Sequence, residues 1–322
     1  MFRREVLKAA AATWGLSSLN VMAQGAWPAK PIRIVVLFGV GGASDTLTRL
    51  LGEKLQAYFN QSFPVENKTG AGGNIGMLNV MNSPPDGYAI ASATIGTLSI
   101  NQFLYANAGY DPAKDFAYVS TIWENCNVVV VSAEHPAKTM KEFIAWAKEQ
   151  PKGVTFSSSG VGTTPHLAGE LFAKRTGIQG VHVPFRSSAT IEVVGRTVDF
   201  AIDNVASYVP LIRAGKARAL AVTSAERWPT LPQVPTMAEV GLPDFVITSW
   251  GAFVMPAGTP PAITAQLSKA VQEILSQPAM KERFMTIGAK AVHSTPQETA
   301  AFAAAERVKW KEIVRLSGAK LD

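Results

Sequence analysis

Residues 31–38 (PIRIVVLF) form an almost unbroken apolar run rich in β-branched side chains, the signature of a strand covered on both faces. Gly39, Gly41 and Gly42 interrupt it, and Ser44 or Asp45 stands where a helix N-cap is expected. Leu47, Leu50, Leu51, Leu55 and Tyr58 then recur at helical spacing. Residues 63–66 predict a second strand, 70–74 a glycine-rich loop, 75–81 a helix and 88–94 a third strand. This alternation predicts a parallel sheet with helices on its faces.

The rhythm resumes after residues 115–131 (DFAYVSTIWENCNVVVV), which read as two strand-like halves around residues 124–127 and predict a crossing between domains. Residues 140–148 predict a helix, 154–156 a strand, 157–162 a loop and 164–175 a helix. Short strands are predicted at 181–183, 200–202 and 217–223. Pro229, Pro232, Pro235 and Pro243 mark an irregular stretch, and residues 245–254 predict a strand and a second crossing. Ile263, Leu267, Ala270, Val271 and Ile274 share one helical face near the C-terminal end.

Composition narrows the function classes. The 322 residues fit two domains at about 100–200 residues each. With 47% hydrophobic and 17% charged residues, the chain has ample material for a core, which excludes intrinsic disorder. The single Cys126 cannot form an internal disulfide and is expected to be a buried small hydrophobe. His135, His166, His182 and His293 show no zinc-ligand spacing, so neither metal nor cofactor is expected. The net charge of +6 is dispersed, with Arg3, Arg4 and Lys8 against Glu5 supplying +2 of it. A nucleic-acid partner needs a clustered basic face, so none is expected.

Residues 1–8 (MFRREVLK) precede a short apolar stretch, and Val21 and Ala23 place small residues before a cut at Gln24. Residues 1–23 therefore read as a signal peptide, of the general or twin-arginine type. The stretch falls short of the ~20 residues that span a membrane. The mature chain is expected in the periplasm, without membrane insertion.

Two loops share one logic: residues 38–45 (FGVGGASD) and 157–166 (SSSGVGTTPH) each leave a strand and enter a helix. Glycine lets a ligand approach the backbone amides, and the first turn of a helix offers unpaired N–H groups with partial positive charge. Such turns hold anions without any basic side chain. A hydrogen bond to a charged group contributes about 1.5–3 kcal/mol, so four or five of them support roughly micromolar binding after entropy costs. Ligands of open α/β sheets sit at these strand ends. A dinucleotide fingerprint starts at Gly39 and Gly41 but fails where Ser44 fills the last glycine position. No G-x-S-x-G elbow is present, and Asp199 and Asp203 read as a strand-end turn and a cap.

The chain resembles the substrate-binding receptors of the tripartite tricarboxylate transporter system, also called the Bordetella uptake gene (Bug) family. The resemblance runs through WPAKPIRIVV, VENKTGAGGNIG, PPDGY, YDPAKDFAYVS, SSGVGTTPHLAGELF, HVPFRSSA, IDNVASYVPLIRAGKARALAVTSAERWPTLPQVPTMAEVGLP and SWGAFVMPAGTP, and so spans nearly all of the mature chain. It implies an α/β, two-lobed periplasmic binding protein of type II topology, closing about a two-strand hinge, with lobe 1 at 24–124 and 247–322 and lobe 2 at 125–246. It also implies a monomeric, non-catalytic receptor for a small organic acid, handing its solute to membrane transporter subunits or signalling to a sensor kinase, the alternative from another class being an exported enzyme on the same scaffold. Carried over to this sequence, the binding residues are Gly41, Gly42, Ala43, Ser44 and Asp45 from the first loop and Ser158, Ser159, Gly160, Thr163, Thr164 and His166 from the second. Asp203 takes a cleft-facing position, and side chains at 94–98, 185–187 and 203–208 set selectivity. Asp45 remains open between helix cap and ligand group, and His166 between pocket donor and helix-start contact. Trp123 and Trp250, near the crossings, stand either against a flat ligand or in core packing. Where the family reads Phe-Pro-Pro-Gly-Gly, this chain has Phe38-Gly39-Val40-Gly41-Gly42, a loop that proline does not pre-set; Phe185-Arg186-Ser187 replaces a common Tyr-Lys-Gly.

Overall fold

A computed structural model describes residues 27–185 and 189–317. The segment 1–23 expected to be an export signal, as well as Arg186 and Ser187, lies outside the described residues. The first lobe is built on β1 (Arg33–Val36), which lies between β2 (Val65–Asn67) and β3 (Ala89–Thr94) and runs parallel to both. Helix α1 (Ala43–Phe59) follows β1, and α2 (Asn74–Met81) follows β2 after a 3-10 turn at Ala71–Gly73. β3 runs into a π-helical turn (Gly96–Ile100) and α3 (Asn101–Leu104).

The 17-residue β4 (Phe116–Ser132) then crosses into the second lobe. That lobe continues with α4 (Met140–Lys148), β5 (Val154–Ser158), α5 (Thr164–Thr176), β6 (Gly180–Pro184), α6 (Thr190–Val194), β7 (Phe200–Asn204), α7 (Val205–Arg213) and β8 (Ala217–Val222). β5 is parallel to β6 and β7, whereas β4 meets β7 and β8 antiparallel. The chain returns through β9 (Thr248–Pro256), which pairs with both β3 and β4. α8 (Pro261–Ser276), α9 (Pro278–Ile287), β10 (Lys290–Ala291) and α10 (Pro296–Ser317) complete the described chain.

Residues 115–131 were expected as two halves, but β4 is continuous, with register shifts near Val119 and Ile122. Residues up to Cys126 pair with β9, and Asn127 onward pair with β7. The polar pair Asn125 and Asn127 that suggested a break is fully buried inside the strand. The strand expected at 245–254 begins only at Thr248, because Ile247 is still tied to lobe 2: its amide donates to Thr223 O at 3.0 Å and its carbonyl accepts from Thr223 Oγ1 at 2.5 Å.

The apolar runs lie between two cores. Ile32 and Ile34 pack with Leu47, Leu51 and Leu267, while Val35 and Leu37 face the opposite core. Val128 and Val130 join Tyr208 and Trp228, while Val129 and Val131 join Phe156 and Phe200. Strand alternation thus makes a run of valines bury both faces. Each such side chain contributes about 1.5–3 kcal/mol on burial, which fixes the register of the strands that carry the cleft.

Gly251 of β9 lies opposite Trp123 of β4, and a Cβ there would stand 2.4 Å from the indole. Gly251→Ala is therefore expected to displace the ring and destabilise the protein by about 1–3 kcal/mol, as overpacking does. Urea unfolding should show a lower midpoint with an unchanged slope; an unchanged midpoint contradicts this packing.

Candidate functional site

β1, β3, β5 and β7 all end at the gap between the lobes, and each leads into a helix start there. Among these ends lies a small cavity of about 50 Å³. Gly42, Ala43 and Ser44 line it from α1; Thr94, Ile95 and Gly96 from the end of β3; Trp123 and Ser249 from the crossing strands. Ser159, Thr163, Thr164 and Pro165 line it at α5, and Asp203, Asn204 and Ser207 at α7. No described lysine or arginine lines this cavity.

The helix starts are left uncapped. Gly42 is the N-cap of α1 and Asn204 that of α7, neither with a side-chain cap bond. Thr163 is the N-cap of α5, but its hydroxyl donates to Gly160 O at 2.7 Å. The first-turn amides of three helices, one in the first lobe and two in the second, thus border one cavity with their positive dipole ends. Ser44 Oγ, Trp123 Nε1 and Asn204 Oδ1, all from lining residues, are buried without a partner among the described residues. A buried unpaired polar atom costs about 1–3 kcal/mol, so these three atoms are a local cost at the cavity wall.

Of the residues singled out in the sequence, Gly42, Ala43, Ser44, Ser159, Thr163, Thr164 and Asp203 line the cavity, while Gly41, Asp45, Ser158, Gly160 and His166 do not. The expectation that Ser44 or Asp45 caps α1 is corrected: Gly42 holds that position, and Asp45 braces the loop. Its carboxylate accepts from Gly41 N at 3.0 Å, Arg49 Nε at 3.0 Å and Asn67 Nδ2 at 2.9 Å. Asn67 Nδ2 also donates to Phe38 O at 2.8 Å. This polar clamp orders a loop that lacks proline.

Behind the second loop, Ser158 Oγ lies 2.6 Å from His182 Nε2, and Gly162 N donates to His166 Nδ1 at 3.3 Å. His166 is thus a helix-start contact. Burial pushes its pKa down to about 3 and that of His182 to about 4, so both rings are neutral at pH 7. Of the two tryptophans, Trp123 lines the cavity, whereas Trp250 donates to Glu306 Oε2 at 3.2 Å and packs on Phe302. Burial pushes the Cys126 thiol up to about 12, and the residue packs as an inert hydrophobe. Ser249 gave no sequence signal. The start of α7 did, as a buried strand running into Asp203-Asn204, but without a glycine to announce it.

The lobes touch: Tyr105 Oη donates to Val161 O at 3.2 Å across the gap. Gly72, at φ +60°, sits so close that a Cβ would stand 2.5 Å from Val161 O. This is a closed arrangement around the cavity.

Residues 47–318 match the family model described as Tripartite tricarboxylate transporter family receptor. The chain belongs to this family. It is 36% identical over 298 residues to Protein BugT of Bordetella pertussis, covering 92% of this chain and 91% of that one. The structure of R. palustris Rpa4515 with adipate superposes with a TM-score of 0.89 at 34% identity, over 92% of this chain and 100% of that one. MatC from Rhodopseudomonas palustris with bound malate gives 0.85 at 29% identity, over 89% and 100%. The family and these neighbours are solute-binding receptors, periplasmic by type, and this receptor shares their α/β fold with its curled sheet. No helix among the described residues is long and apolar enough to cross a membrane.

Asp203 sets the electrostatics of the receptor's cavity. It is 2% exposed, accepts from Asn204 N at 2.6 Å, and has no ion-pair partner among the described residues. Burial raises its pKa from 3.8 to about 6. Above pH 6 its charge repels an anion in the cavity; below pH 6 it is protonated and can donate. Anion affinity is therefore expected to rise by about tenfold from pH 7.5 to 5.5, for a solute that stays ionised throughout, since one pKa unit corresponds to 1.36 kcal/mol. Asp203→Asn should flatten the profile. Carbon-detected NMR should place the Asp203 midpoint near 6; a midpoint near 4 with an unchanged profile in the variant contradicts this.

Proposed function

We propose that this receptor captures a small organic carboxylate in the periplasm and delivers it to a membrane transporter of the tripartite tricarboxylate type, without chemical conversion. One observation carries the reading: uncapped helix starts from both lobes border a single cavity that no described lysine or arginine lines. Amides that hold the solute in its ground state suit capture and release rather than catalysis. Adipate and malate, bound in the structures of two relatives, point to dicarboxylates of four to six carbons as the first solutes to test. On this reading residues 1–23 direct export, and the lobes divide as 24–124 with 247–322 against 125–246, a division supported by the change of β4 partners at Cys126.

Gly42→Asp tests the site without endangering the fold. Gly42 has φ −73° and ψ 168°, open to any residue, and a Cβ there would meet only Gly39 O at 3.6 Å. Aspartate is at least as good an N-cap as glycine, and its carboxylate would occupy the position of the solute anion. The variant is expected to melt no lower than the wild type and to lose at least about tenfold in calorimetric affinity for adipate or malate, a loss of about 1.4 kcal/mol. Wild-type affinity in a folded variant contradicts the site.

A further inference from the structure

We propose that His166, Glu170 and His182 form a binding site for a zinc-class divalent metal ion behind the second loop of the cleft. The three residues, on α5 and β6, each offer one ligand atom, and these atoms all lie within 4.8 Å of one another. His166 and Glu170 are one helical turn apart, with His166 Nε2 3.8 Å from Glu170 Oε1. The two imidazole rings face each other with centroids 4.2 Å apart. Sequence spacing hid this set, because strand pairing brings His182 beside α5.

Two neutral imidazoles and a carboxylate, with water as a fourth donor, form a ligand set of the kind zinc takes at sites with an open position. Zinc donors 2.0–2.2 Å from the ion lie about 3.3–3.5 Å apart, so the set must draw in by up to roughly 1.5 Å. Glu170 supplies the play: it is partly exposed and borders a surface groove along Ala173, Gly177 and Gly180. A supporting contact is in place at His182, whose Nε2 lies in hydrogen-bond reach of Ser158 Oγ, whereas the other nitrogen of His166 now accepts from Gly162 N.

That support couples the ion to the cleft. A metal on His166 Nε2 requires the ring proton to sit on Nδ1, the atom that now accepts from Gly162 N. Metal binding therefore breaks the Gly162 contact and shifts the loop that ends in Thr163 and Thr164.

Chelator-stripped, untagged mature protein titrated with Zn²⁺ in a calorimeter is expected to take up one ion per chain. Glu170→Gln and His182→Gln should each weaken uptake by about tenfold or more. In the unaltered protein Co²⁺ should give the intense visible bands of a low-coordinate site, a readout that depends on no variant. The Gly162 amide resonance should move on Zn²⁺ addition. Absence of saturable uptake, affinity unchanged in both variants, pale octahedral Co²⁺ bands, or an unmoved Gly162 signal would each overturn the proposal.

Discussion

The structure turns on helix starts whose N-cap residues make no side-chain cap bond among the described residues. In most helices a serine, threonine or aspartate at the N-cap satisfies one of the first-turn donors. Here Gly42 has no side chain to offer, Thr163 is turned to Gly160 O, and Asn204 makes no cap bond. Three uncapped starts at one small cavity leave a deficit of acceptors, which is what the proposed carboxylate would remove. A partial charge fixed in the backbone also leaves little side-chain entropy to lose on binding, unlike a long lysine or arginine.

Holding these starts in register requires stiff supports. Behind the first loop, Asp45, Arg49 and Asn67 form a charged clamp. Behind the second, Ser158, His182, Gly162 and His166 form a neutral one. β4 and β9 carry the lobes, and Trp123, lying over Gly251, links that crossing to the cavity wall. Because β4 belongs to both sheets, a twist along it moves one set of amides relative to the other, which suits a hinge.

Much of this was legible in the chain. Apolar runs such as residues 31–38 located the buried strands, and glycine-rich turns located two of the helix starts. The misreadings share a cause. Side-chain chemistry that looks local along the chain is tertiary in the fold. Asp45, read locally, looks like a cap; in the fold its partners come from residue 67 as well as its own helix. Asn125 and Asn127 look like a break, yet they lie within a continuous strand. His166 and His182 look scattered until α5 packs over β6. The α7 start is legible through Asp203 and residues 203–208 although no glycine marks it, whereas Ser249 is not, because its place in the cavity follows from the antiparallel pairing of β9 with β4.

A crystal structure of the mature protein loaded with a dicarboxylate tests the account most directly. One carboxylate should accept hydrogen bonds from first-turn amides of both lobes, among them Ser44 N and Thr164 N, with Ser44 Oγ or Trp123 Nε1 newly paired. A solute held mainly by lysine or arginine side chains, or seated away from these helix starts, would contradict it.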